Sequence, residues 1–143
     1  MRNAVFAFAF LLLTSLGAGC GDDSSTPTTP STSTAPTTEV FTGSLDVKGS
    51  SFYSFSVLST GTVSVMLASI TLGSPSAAAA IPVSLGVGVP AGLGCGVTTA
   101  VTVAPALTSQ IANSLTAGIY CVNIADIGNL TAPVNFAIRI VHR

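Results

Sequence analysis

The sequence predicts an all-β sandwich or barrel of about eight short strands in residues 39–143. Three observations carry this prediction. Residues 51–58, 61–70 and 131–141 alternate apolar and polar side chains with the period of two that is typical of half-buried strands. Gly, Pro, Asn and Asp recur between such runs as turn residues, and no stretch of this region has a convincing helical pattern.

The hairpin over residues 51–70 is the clearest local element. In SFYSFSVL (residues 51–58) Tyr53, Phe55 and Val57 share one face, and in GTVSVMLASI (residues 61–70) Val63, Val65 and Leu67 do the same. Ser59-Thr60-Gly61 separates the two runs as a short turn containing glycine. Two alternating runs across such a turn predict a β-hairpin.

The remaining elements follow the same logic in chain order. Residues 72–80 are predicted as a loop, because four alanines alone cannot form a stable helix. Prolines at 82 and 90 bracket an alternating run, as is usual at strand boundaries. Tyr120, Val122 and Ile124 share one face, and Cys121 faces away. The other predicted strands are 39–45, 81–89, 97–103, 107–115 and 119–124, with turns at 91–96 (containing Cys95) and 126–129.

Residues 1–19 have the pattern of a secretory signal peptide. Arg2 precedes an unbroken apolar run at residues 4–13, and small residues then lead to Cys20. The apolar run is too short to span a bilayer. The small residues ending on Cys20 resemble the lipobox of bacterial lipoproteins, which implies that Cys20 is lipidated and becomes the mature N-terminus. Gly17 occupies the place where that family usually has Leu, and an ordinary cleavable signal peptide is the alternative.

Residues 20–38 are predicted to be a disordered tether. After Cys20 the segment reads GDDSSTPTTPSTSTAPTT, almost wholly Ser, Thr and Pro. It has no apolar face whose burial could offset the entropy of ordering. A spacer of this kind lets a folded domain stand clear of the membrane in which its lipid anchor sits.

The cysteines predict an oxidising compartment. If Cys20 carries lipid, Cys95 and Cys121 remain as a pair, and an even remainder in an exported domain favours a disulfide. Closing this loop would stabilise the fold by roughly 3.5 kcal/mol on the chain-entropy estimate. Two buried free thiols are the alternative.

Charge is scarce, with 6% Asp, Glu, Lys and Arg and a net charge of −1. No formal charge lies between Lys48 and Asp126. A nucleic-acid partner would require clustered Lys and Arg, so no such partner is expected.

The strand motifs also resemble the bacterial pre-peptidase C-terminal domains. The matching segments are FTGSL (41–45), FYSFSV (52–57), GTVSVML (61–67), GIYCV (118–122), the turn at Asp126 and NFAIRIV (135–141). This resemblance implies a jelly-roll-like β-sandwich that serves as a non-catalytic accessory module of secreted bacterial proteins. Some relatives bind calcium or extracellular polymers, but the chain has neither an attached enzyme nor clustered acidic residues, so no functional residues are transferred.

No catalytic, metal or cofactor residues are predicted. The only histidine, His142, is predicted to be a solvated chain end, and no G-x-S-x-G motif is present. Asp126 is predicted as a turn residue, with a weak calcium site formed with Asn129 as the alternative.

The sequence therefore predicts a non-catalytic lipoprotein of the bacterial cell envelope. Its partners would be the membrane, through Cys20, and an unidentified envelope protein or polysaccharide. The alternative is a carbohydrate- or peptide-binding module at the cell surface. No Trp is present, and Tyr53 and Tyr120 are both predicted to face the core, which weighs against an aromatic sugar platform.

Overall fold

A computed structural model describes residues 35–73 and 77–143. These ranges contain nine β-strands and no helix. Within them, therefore, no helix is long and apolar enough to cross a membrane. The strands are β1 (Thr37–Leu45), β2 (Ser50–Val57), β3 (Gly61–Leu72), β4 (Ala77–Ala78), β5 (Val83–Ala91), β6 (Gly94–Val103), β7 (Ile111–Leu115), β8 (Gly118–Ala125) and β9 (Val134–His142).

The strands form two antiparallel sheets. The five-stranded sheet has the order β1-β9-β3-β4, and β7 pairs with the first part of β3. The four-stranded sheet has the order β2-β8-β5-β6. The two strands of the hairpin predicted over residues 51–70 do not pair with each other, so that prediction is wrong. β2 and β3 lie in different sheets, and the turn between them crosses from one sheet to the other.

Alternating side chains of both sheets build one core. In β9, every second residue from Val134 to His142 is buried, and β3 and β2 show the same alternation. Leu45, Leu67, Leu85, Ile124 and Ile138 are among the fully buried side chains. The all-β sandwich prediction is confirmed.

Several predicted boundaries are wrong: residues 77–78 of the predicted loop form β4, and β9 begins at Val134 rather than at residue 131. Two further errors have a clear physical reason. Cys95 lies in β6 rather than in a turn, because Gly92, with φ of 59°, and Leu93 suffice to close the β5–β6 hairpin. Residues 107–110 do not extend β7. Instead, the amides of Ala106 and Gln110 donate to the carbonyls of Leu67 and Val65, so this segment runs along the edge of β3.

Gln110 completes this edge with its side chain. Its Oε1 accepts from the Leu67 amide at 2.8 Å, and its Nε2 donates to the Ala104 carbonyl at 3.2 Å. The contact falls where the pairing of β3 with β9 shifts register between Leu67 and Ser69. Because β7 pairs with β3 only as far as Val65, the glutamine side chain satisfies a backbone group of β3 beyond the end of β7.

Candidate functional site

Cys20 and the rest of residues 1–34 lie outside the described residues. The predicted signal peptide, the lipidation of Cys20 and most of the tether therefore stay predictions. The described chain begins at residue 35 and enters β1 at Thr37, two residues before the predicted start of the domain.

The second predicted cysteine site is brought together. Cys95 of β6 and Cys121 of β8 form a disulfide with their Cα atoms 5.8 Å apart, within the ordinary range for such bridges. Cys121 faces away from the core, as predicted, yet it is fully buried. The bridge crosses β5, which lies between the two bridged strands.

Two glycines of β5 allow this close approach. Gly88 pairs with Cys121 on one side and with Val97 on the other. A Cβ at Gly88 would lie 2.6 Å from the Gly96 carbonyl carbon and closer still to its oxygen, and one at Gly86 would lie 2.7 Å from Val97 Cγ1. A β-bulge at this point of the β5–β6 ladder brings the two backbones together.

His142 is buried, so the prediction of a solvated chain end is wrong. The imidazole is 3% exposed, and its Nε2 lies 2.6 Å from Glu39 Oε1. Its ring packs against Phe55 at a centroid distance of 5.6 Å. The sequence contained a signal for this burial, because His142 continues the inward alternation of Val134 to Ile140. In the structure β9 extends far enough to pair His142 with Thr37.

The hydrogen bonds of the His142 ring involve only one of its two nitrogens. Nε2 is occupied by Glu39, and Nδ1 is buried with no hydrogen-bond partner among the described residues. A neutral ring that donates from Nε2 leaves Nδ1 as a bare acceptor. No Ser or Cys side chain within the described ranges contacts the ring through a hydrogen bond, so the ring has no nucleophile to activate there.

Asp126 holds two turns together. Its Oδ2 accepts from the Lys48 amide at 2.8 Å, and its Oδ1 accepts from the amides of Gly128, Asn129 and Leu130 at 2.9–3.1 Å. Lys48 has a positive φ of 57°, and this bond holds it there. The Lys48 amide is the main cause that lowers the pKa of Asp126 below its ordinary value; desolvation opposes this effect, and the other three amides add to it.

This geometry matches the predicted turn residue. Both carboxylate oxygens point at N–H donors, whereas a calcium ion needs oxygens free to coordinate it. Asn129 uses its Nδ2 to donate to the Pro82 carbonyl at 2.9 Å. Within residues 35–73 and 77–143, no three His, Cys, Asp or Glu side chains are grouped to hold a metal ion.

The outer face of the five-stranded sheet carries two shallow clefts. One, of about 250 Å³, is lined by Ser64, Met66, Leu107, Ser109, Arg139 and Val141. The other, of about 380 Å³, lies further along β9 and is bordered by Thr42, Ser69, Thr71 and Asn135 among others. Hydroxyl groups line both clefts beside apolar side chains, and Arg139 supplies the only formal charge among their lining residues.

The tyrosines occupy the inner faces of their strands, as predicted. Tyr53 stacks on Phe41 at a centroid distance of 5.0 Å, and its hydroxyl donates to the Thr42 carbonyl at 3.0 Å. Tyr120 packs near Phe55 and bonds to the Thr116 carbonyl. Phe52 is the aromatic side chain that sequence reasoning missed: it is out of phase with Tyr53 and Phe55 and is exposed on the outer face of β2.

Comparison with known proteins adds no assignment. No family model matches the chain, and no curated protein matches it at a significant level. The resemblance to the pre-peptidase C-terminal domains thus stays a prediction that rests on the strand motifs.

Proposed function

We propose that this chain is a non-catalytic lipoprotein of the bacterial cell envelope, in which a lipid on Cys20 anchors a β-sandwich interaction domain to a membrane. The observation that carries the proposal is the order of segments in the sequence. A basic start and a short apolar run end on Cys20, a Ser/Thr/Pro-rich segment follows, and the sandwich begins at Thr37.

Two features of the sandwich support an exported interaction domain. Disulfides persist in oxidising compartments outside the cytoplasm, and the chain bridges Cys95 to Cys121. The only histidine is buried, and its Nε2 is in a hydrogen bond with Glu39. The resemblance to an accessory module of secreted proteins agrees with a role in presenting or binding rather than in catalysis.

Metabolic labelling tests the anchor. Cells that express the chain are fed an alkyne-bearing fatty acid and fractionated, and the protein is probed for the label. We expect label in the membrane fraction for the wild type and none for Cys20→Ser. Cys95→Ser with Cys121→Ser is the matched control, because it removes two other cysteines and should retain the label. A Cys20→Ser protein that remains labelled would refute the anchor.

A second function, binding of a polysaccharide or peptide, is favoured by the clefts beside β9. Their hydroxyl groups can exchange hydrogen bonds with a sugar or a peptide backbone, and Arg139 can pair with an acidic group. We expect binding on a glycan or peptide array to be lost in Arg139→Ala. Arg143→Ala is the control, since Arg143 does not line either cleft. Equal binding by the two variants would remove the cleft that Arg139 lines from consideration.

A further inference from the structure

The strand register places two distinct sets of turns at the two ends of the sandwich. Thr37 pairs with His142, Val57 with Gly118 and Gly88 with Cys121. Residue 36, the β2–β3 turn and the β5–β6 hairpin turn therefore lie at one end, called here the entry end. Leu45 pairs with Val134 and Ser50 with Ala125, which defines the opposite end.

The entry end exposes three large aliphatic side chains. Leu93 at the tip of the β5–β6 hairpin is fully exposed, Leu58 in the β2–β3 turn is 75% exposed, and Ile119 at the start of β8 is 63% exposed. Leu58 is fixed in place because its amide donates to the Arg143 carbonyl at 3.0 Å. Exposed aliphatic side chains that share one end of a domain are typical of interaction surfaces.

The disulfide fixes the hairpin that carries Leu93 to the neighbouring strand β8. Cys95, two residues beyond Leu93, is bonded to Cys121 of β8, and Gly92 closes the turn with a positive φ. Leu93 is therefore presented at a position that the sheet defines.

Most formal charges in the turns lie at the opposite end of the sandwich. Asp46, Lys48 and Asp126 all lie in turns of the opposite end, where Asp126 accepts from the Lys48 amide. Among the described residues, the charged side chains at the entry end are Arg143 and Glu39, and Glu39 is bonded to the buried His142. The part of the entry end that the structure describes is thus apolar and carries one outward cation.

We propose that the entry end docks on the surface of the membrane that holds the lipid anchor, with Leu58, Leu93 and Ile119 entering the bilayer interface. This inference rests on the proposed anchoring through Cys20. The length of the segment before the domain favours the bilayer as the surface that this end contacts. Residues 21–34 would span only roughly 45 Å if extended at ~3.1 Å per residue. The anchor therefore keeps the entry end near the bilayer at high effective concentration, so a weak apolar contact suffices.

The chain allows a test that does not depend on natural lipidation. The mature chain from Cys20 onward is coupled through the Cys20 thiol to a maleimide phospholipid in vesicles of phosphatidylethanolamine and phosphatidylglycerol. Because the sequence has no Trp, Leu93→Trp provides a single fluorescent reporter at the entry end. Leu107→Trp is the matched control, since Leu107 is 95% exposed but lies beside β3.

We expect Leu93→Trp emission to shift to the blue and to be quenched by brominated acyl chains, while Leu107→Trp emission stays as in buffer. Adding Leu58→Ser and Ile119→Ser to Leu93→Trp should weaken docking about tenfold or more, since it removes two aliphatic side chains from the interface. Val47→Ser with Ile127→Ser, at the opposite end, should leave docking unchanged.

Two results would overturn the inference: Leu93→Trp emission equal to that of the control, or a blue shift that depends on protein density and so reports contact between copies of the chain. The coupled vesicles supply the anchor artificially, so these results leave the natural modification of Cys20 to the labelling experiment. A label at Cys20 without docking would refute the inference alone. Docking without a label would refute only the natural anchor.

Discussion

Replacing Gly88 with alanine tests how the two backbones approach under the disulfide. The new Cβ would lie 2.6 Å from the Gly96 carbonyl carbon and 2.7 Å from Val97 Cα, where ordinary contacts begin at 3.4 Å. These are backbone atoms, so β6 must move by roughly an ångström rather than one side chain turning aside. Overpacking of this kind costs about 1–3 kcal/mol, and each β5–β6 hydrogen bond that is broken adds about 1 kcal/mol.

We therefore expect Gly88→Ala to lower the free energy of unfolding by about 3 kcal/mol or more. Gly94→Ala is the matched control in the same hairpin, because its Cβ would meet only the Ala91 carbonyl oxygen, at 3.8 Å. A change within about 0.5 kcal/mol is expected there. Urea denaturation followed by circular dichroism, with the disulfide intact, measures both variants.

The displacement has a second readout at Cys95. Cys95 is the neighbour of Gly96 on β6, so moving β6 away from β5 also moves Cys95 relative to Cys121. Thiol titration should find more free Cys95 and Cys121 in Gly88→Ala than in Gly94→Ala. Equal unfolding free energies for the two alanine variants would refute the close approach described here.

Three further predictions concern single contacts. Gln110→Ala leaves the Leu67 amide without its partner and should cost about 1–3 kcal/mol in urea denaturation. Ser109→Ala, at an exposed neighbouring position, should change the free energy of unfolding by less than about 0.5 kcal/mol. Gly43→Ala places a Cβ against the Tyr53 hydroxyl and should cost about 2 kcal/mol, but clearly less in a Tyr53→Phe background, as a double-mutant cycle would show. Asp126→Asn should make the free energy of unfolding fall less steeply as the pH is lowered. Because the pKa of Asp126 is lowered in the folded state, its carboxylate stabilises the fold above the ordinary aspartate pKa. This contribution disappears as the pH falls through the lower folded pKa.

Each of these predictions has a contradictory outcome. Equal effects of Gln110→Ala and Ser109→Ala would mean that the Leu67 amide does not need the side-chain oxygen. Additive costs at Gly43 and Tyr53 would mean that the ring oxygen is not the obstacle. Parallel stability profiles of wild type and Asp126→Asn between pH 6 and the acid limit would contradict the bonds drawn to Asp126.

Side-chain alternation was sufficient to predict the sandwich. In β9 the apolar positions fall on every second residue, and the two faces of this strand have opposite solvent exposure. Extending the same alternation by one step would also have predicted that His142 is buried. The prediction of a solvated His142 depended instead on its position near the chain end, and it is wrong because the side chain is buried.

Other features depend on tertiary contacts that alternation does not encode. Gln110 directly precedes β7, and the Leu67 amide depends on its side chain because β7 pairs with β3 only as far as Val65. Gly88 is one of several glycines in a strand, and its necessity follows from the approach of β6. The exposure of Leu58 and Leu93 at one end likewise follows from the sheet order, because these residues are far apart in the sequence.

The intact mass of the mature protein, extracted from membranes and measured with and without reductant, tests the central claim most directly. We predict a mass that fits a chain beginning at Cys20 with added acyl groups, and a gain of about two hydrogens on reduction, from the bridge between Cys95 and Cys121. An unmodified chain recovered from the soluble secreted fraction would contradict the membrane anchor. In that result Cys20, if retained, would be a free thiol, and the sandwich would be a freely diffusing module.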